Sequence, residues 1–119
     1  MTNQTPSFEK RIKQIVLKHL DDDNFGINKL CKLLFLSRMQ VHRKIKKATN
    51  LSTSIFIRHV RLEKSAQLLL ETNMPVAQIA FTVGFHDPAY FSRCFKKRYG
   101  IPPEAYRRGK NDHFLGISA

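Results

Sequence analysis

The feature that most constrains this chain is that it matches itself. Leu30-Cys31 aligns with Ile79-Ala80 and Leu34 with Val83 at an offset of 49. Past the intervening turn the offset becomes 50, pairing Val41 with Phe91, Arg43 with Arg93, Ile45 with Phe95, Lys46-Lys47 with Lys96-Lys97, Asn50 with Gly100 and Phe56 with Tyr106. One residue inserted in the second turn accounts for the change. Each unit reads as a short helix, a tight turn, and a second helix with an apolar inner face and a basic outer face. That is the shape of a helix-turn-helix, whose second helix lies in the DNA major groove. Two units separated by one long helix are too few for a helical solenoid.

Helical periodicity covers most of the chain, and no stretch alternates with the two-residue period of a strand. Phe8, Ile12, Ile15, Val16 and Leu20 stripe a first helix, stopped by Asp21-Asp22-Asp23-Asn24. Ile27, Leu30, Cys31 and Leu34 stripe a second. Ser37 with Gln40 three residues on is a capping-box pattern, and the helix it opens buries Val41 and Ile45 and ends at Asn50, a residue that tolerates a left-handed cap. Residues 52–72 form a long helix with Ile55, His59, Leu62, Ala66 and Leu69 along one side. Val76, Ile79, Ala80 and Val83 follow Pro75 in a short helix broken by Gly84. Asp87-Pro88 caps and starts the next helix, which turns Phe91, Cys94 and Phe95 inward and stops at Gly100. Pro102-Pro103-Glu104 begins a last short turn. The expected fold is all-α, about seven helices in two helix-turn-helix subdomains, residues 8–50 and 73–108, joined by a linker helix over 51–72. Residues 1–7 read as a tag or linker and 109–119 as a mobile tail.

Charge points to the partner. The 119 residues carry 21 Lys and Arg against 9 Asp and Glu, a formal net charge of +12. Residues 27–50 hold seven basic side chains and no acidic one, whereas residues 1–26 balance at four of each. The excess therefore gathers around 38–47 and 93–98, as two contact points on an extended anion would require. The linker helix of about 21 residues spans roughly 30 Å, close to the 34–36 Å between successive major-groove faces of B-DNA. Paired carboxylates, a nucleophile with its base, and a phosphate-cradling glycine loop are all missing, so an enzyme is not expected. Cys31 and Cys94 have no metal-ligand spacing and read as small apolar groups. No metal or other cofactor is expected. The longest apolar run, Leu33-Leu34-Phe35-Leu36, is far short of a membrane span, and the first six residues lack the apolar segment of a signal peptide. A cytoplasmic location is expected, without membrane binding.

The stretch Gly84-Phe85-His86-Asp87-Pro88-Ala89-Tyr90-Phe91-Ser92-Arg93-Cys94-Phe95-Lys96-Lys97-Arg98-Tyr99-Gly100-Ile101-Pro102-Pro103-Glu104-Ala105-Tyr106-Arg107 resembles the signature of the AraC/XylS family of bacterial transcription regulators. Ile79-Ala80, Arg61-Leu62 with Ala66 and Leu69-Leu70, and Ser37 through Lys46 also match, so the likeness spans about residues 8–108. It implies a domain of two helix-turn-helix subdomains joined by a helix, mostly found in activators that bind near promoters and contact RNA polymerase. By position, the resemblance makes Met39, His42 and Arg43 the base-facing residues of the first reading helix, and Pro88, Ala89 and Arg93 those of the second. Ser37, Arg38, Lys46, Lys47, Ser92, Lys96 and Lys97 are expected at DNA phosphates or at the helix starts. Pro88 and Ala89 offer few hydrogen bonds, which leaves the second unit to Arg93, thymine methyl contacts and phosphates. Phe35 stands where the family has a turn glycine, so the turn is expected to be reshaped or the ring to pack against it.

Family members usually carry a sensor or dimerisation domain, for which this chain has no room. It is expected to be the C-terminal output piece of a longer regulator, and residues 37–50 resemble domains that end hybrid two-component regulators. The expected function is sequence-specific binding of double-stranded DNA for transcription regulation. The alternative is a non-specific nucleic-acid module acting by charge, which the sequence supports less because no exposed aromatic stacking platform is read in it. Arg58 and Arg61 are left between bracing the subdomains and touching the DNA backbone.

Overall fold

The computed structural model describes residues 7–22 and 24–114, with side chains up to residue 109. Among these it holds seven helices and no strand: α1 (Phe8–Lys18), α2 (Ile27–Leu34), α3 (Arg38–Thr49), α4 (Thr53–Glu71), α5 (Val76–Thr82), α6 (Pro88–Tyr99) and α7 (Pro103–Phe114). No described helix is long and apolar enough to cross a membrane. The chain divides into two compact units, Met1–Val60 and Arg61–Ala119, so the division falls inside α4.

In the first unit α1 and α2 both pack on α3. Ile12 and Val16 of α1, Leu30, Cys31 and Leu34 of α2, and Val41 and Ile45 of α3 form one buried cluster with Phe25, Ile57 and Val60. Each fully buried aliphatic contributes about 1.5–3 kcal/mol relative to exposure. Ser7 is a working N-cap, not linker: its hydroxyl accepts from the Lys10 amide at 3.3 Å. Residues 1–6, the rest of the expected tag or linker, lie outside the described residues. The loop before α2 is pinned by the Lys29–Asp22 ion pair at 3.0 Å. The Lys29 ammonium, followed by the Asn24 amide, holds the Asp22 carboxyl below the usual carboxylate range.

The second unit is built on aromatic rings. α5 and α7 pack on α6, and Phe91 and Phe95 are fully buried. Phe95 meets Phe91, Tyr99 and Tyr106 with ring centroids at 5.8, 4.6 and 5.3 Å. Burial against these rings raises the Tyr99 hydroxyl above its ordinary pKa. Two arginines close the backbone. Arg61, buried on α4, donates to the Val83 carbonyl at 2.8 Å, just before the turn into α6. Arg107 donates to the carbonyls of Leu69, Thr72 and Met74 at 3.1, 3.2 and 2.8 Å, satisfying the acceptors that a helix end leaves open. Arg61 thus settles on a protein carbonyl, a choice its sequence position left open.

Three expectations are corrected. The long helix does not bury one stripe: Thr53, Ile57 and Val60 are buried in the first unit and Leu62, Ser65, Ala66 and Leu69 in the second, while Ile55 and His59 stay half-exposed. The closing element is a helix to Phe114, so residues 109–114 continue α7 where a mobile tail was expected; residues 115–119 lie outside the described residues. Gly109 lies inside this helix at a cost of roughly 1 kcal/mol. Third, the Phe35 turn is neither reshaped nor packed by the ring.

Both helix-turn-helix turns have the same hydrogen bonds. The amide of Phe35 donates to Lys32 and that of Leu36 to Cys31; equivalently, Gly84 donates to Phe81 and Phe85 to Ala80. This is the paired pattern of a Schellman motif, which needs one left-handed residue. Gly84 takes it at φ 97° and Phe35 at φ 57°, with the Phe35 ring 93% exposed. A side chain here pays backbone strain and returns no packing. Phe35→Gly is therefore expected to stabilise the domain by about 1 kcal/mol and raise its melting temperature by about 4–8 °C. Thermal unfolding followed by circular dichroism checks this, and a melting temperature at or below the parent's would contradict it.

Candidate nucleic-acid interface

Capping fixes where each outer helix begins. The Ser37 hydroxyl accepts from the Gln40 amide at 3.1 Å while the Gln40 side chain accepts from the Ser37 amide at 2.8 Å, the reciprocal box foreseen in the sequence. Asp87 caps α6 by accepting from the Ala89 amide at 3.0 Å, with Pro88 in the first position. Asn50 and Gly100 end the two helices in left-handed conformations. With Val41 and Ile45, and Phe91 and Phe95, fully buried, the helical period turns positions 39, 42, 43 and 46, and 89, 92, 93 and 96, away from each core.

On α3 the candidate residues Arg38, Met39, His42, Arg43, Lys46 and Lys47 are all exposed, as is the cap Ser37. Met39 is 69% exposed, which nothing in the packing of the domain requires. Arg38 reaches the Asn28 side chain at 3.4 Å, and Lys44 is drawn aside over the Phe8 ring at 5.5 Å. On α6, Ala89, Arg93, Lys96 and Lys97 are exposed, while Pro88 and Ser92 are half-buried. The Arg93 guanidinium lies 5.8 Å from the centre of the Tyr90 ring. Arg98 turns to Tyr99 and to Glu63 at 3.9 Å, away from the candidate set. Lys46, Lys47, Lys96 and Lys97 sit in the last turns, where cations also complement the helix dipole.

Phe35, Phe81 and Tyr90 are exposed rings, so a lack of aromatics does not tell a sequence reader from a non-specific binder. Cys31 is buried as expected and Cys94 half-buried. Among the described residues no cluster of His, Cys, Asp or Glu is placed to hold a metal ion.

Residues 30–109 match a family model described as a helix-turn-helix domain. The chain is 34% identical over 102 residues to the HTH-type transcriptional regulator MtrA of Neisseria gonorrhoeae, covering 84% of this chain and 34% of that protein. It is 33% identical over 105 residues to Histidine kinase P4 of Formosa agariphila, covering 88% of this chain and 8% of that one. The chain thus spans 34% and 8% of the length of these relatives. Among solved structures it resembles the C-terminal domain of AraT, a response regulator from Geobacillus stearothermophilus, at 32% identity and a TM-score of 0.76, with 91% of this chain and 88% of that one covered.

Proposed function

The chain belongs to the AraC/XylS family of helix-turn-helix transcription regulators, as a DNA-binding domain of that type, and we propose that it reads a specific double-stranded sequence with α3 and α6 in successive major grooves. The observation that carries this reading is the matched pair of exposed stripes. Each unit presents an arginine at the same register, Arg43 and Arg93, with a lysine pair one turn further on, set on a helix whose opposite face is locked in a core. Met39, His42 and Arg43 then face bases in one half-site, and Pro88, Ala89 and Arg93 in the other. Arg38, Lys46, Lys47, Ser92, Lys96 and Lys97 hold phosphates, with Ser37 at the start of α3. Phosphate contacts fix register while base contacts supply discrimination. The domain serves as the output end of a longer regulator whose sensor or dimerisation domain supplies the signal, acts in the cytoplasm, and in an activator meets RNA polymerase.

Arginine reads guanine through its O6 and N7, worth about 1–3 kcal/mol per base. Arg43→Ala and Arg93→Ala are each expected to lower the ratio of selected to scrambled duplex affinity by about 10- to 100-fold, at half-sites about one helical turn apart. Selection from random duplex DNA supplies the target, and anisotropy titrations at fixed salt give the ratios. If both variants keep the parental ratio, binding by charge alone is the better account.

A further inference from the structure

An oxygen sealed from water without a hydrogen-bond partner is a costly feature in a folded core. Thr53 is 4% exposed, and its Oγ1 has no hydrogen-bond partner. It is the first residue of α4. Ser52, just before it, accepts from the Ile55 amide at 3.3 Å, and the first intrahelical bond runs from the Phe56 amide to the Ser52 carbonyl at 2.9 Å. The amides of Thr53 and Ser54 precede that bond and have no acceptor within the helix. These three residues form one wall of a cleft of about 410 Å3 in the first unit. Arg38, Met39 and His42 of α3 line the rest, with Ile27. The lining residues therefore carry hydroxyls, helix-start amides and a guanidinium, with no carboxylate among them. That donor set suits a tetrahedral oxyanion.

Met39 and His42 belong both to the cleft and to the exposed stripe of α3, so the anion nearest at hand is the backbone of the duplex being read. We propose that this cleft grips one phosphodiester beside the first half-site, through the leading amides of α4 and the Thr53 hydroxyl, which turns out of its buried position to meet the anion, with Arg38 supplying the charge. This rests on the DNA-reading function proposed above. The repeat confines the grip to the first unit, because Ser52, Thr53 and Ser54 are matched by Pro102, Pro103 and Glu104. A proline offers neither amide donor nor hydroxyl, and a carboxylate repels phosphate. Thr53 is thus a positioning residue that sets the first reading helix in register.

The test compares the whole chain with its Thr53→Val and Thr53→Ser variants on the selected duplex, a scrambled duplex, and selected duplexes carrying one neutral methylphosphonate linkage at successive positions. Thr53→Val is expected to weaken binding to both unmodified duplexes by the same factor, roughly tenfold, the size of one hydrogen bond to a charged group. Thr53→Ser is expected to stay near the parent. At one position the methylphosphonate penalty is smaller for Thr53→Val than for the parent and Thr53→Ser. Parental affinity for Thr53→Val, or equal loss in the valine and serine variants, overturns the proposal. So does inorganic phosphate that shifts the Thr53 amide resonance and is not displaced by duplex, since the site would then serve a free anion. Should the valine variant fail to fold, Arg38→Ala takes its place in the methylphosphonate scan, and a scan unchanged by it overturns the proposal. Failure of the DNA reading itself shows differently, as a parent chain with no preference for any selected duplex.

Discussion

Phe95→Ala is expected to destabilise the second unit by about 3–5 kcal/mol, the range for deleting a buried aromatic. Phe95 is fully buried and its ring meets three others. Tyr99 and Tyr106 are each half-buried, with hydroxyls that limit how far they can swing inward to fill the gap. The cavity therefore cannot collapse cheaply, and the loss approaches the whole stability typical of so small a unit. Urea unfolding with hydrogen exchange at the amides of α5 to α7 gives the measurement. Arg93 rides on the helix that Phe95 anchors, so preference at the second half-site is expected to fall along with exchange protection. A cost below about 1 kcal/mol would mean that the aromatic cluster is not what holds α6.

Ser37, Asn50, Asp87 and Gly100 do in the structure what their chemistry announces, because caps and left-handed ends are decided within a few residues. The inward faces of α3 and α6 are legible for a similar reason: both helices are amphipathic against a single core. α4 defeats the same approach because it serves two cores, so Ile57 and Val60 are buried by one set of neighbours and Leu62 and Leu69 by another. A single periodic stripe averages the two and lands on Ile55 and His59. Phe35 shows a different limit. A left-handed phenylalanine contradicts local preference, and only the tertiary demand for the same turn that Gly84 makes elsewhere explains it. Arg61 is left undecided by the sequence because its role, like that of Arg107, depends on carbonyls 22 and 33 to 38 residues away. Of the candidate interface, the exposed basic stripes were readable from spacing. The cleft at Thr53 was not, since it needs α3 and the start of α4 side by side.

A fourfold rise in salt, from 50 to 200 mM, is expected to weaken DNA binding by about 500-fold. Each phosphate neutralised by a cation releases counterions and contributes about 0.9 to the slope of log K against log salt. The proposed phosphate set has five cationic members, Arg38, Lys46, Lys47, Lys96 and Lys97, all exposed and placed at the edges of the two outer helices. The expected slope is then about −4.5. Lys44 and Arg98 are left out of that sum because a ring of this protein holds each of them. Lys47→Ala and Lys97→Ala should each flatten the slope by about 0.9 while leaving the preference between duplexes intact. Arg43→Ala should do the reverse, changing preference more than slope. The two signatures separate positioning from reading with the same titrations. A slope shallower than about −2, or one that Lys47→Ala and Lys97→Ala leave untouched, would show that these lysines serve only the helix ends and that the duplex lies along some other face.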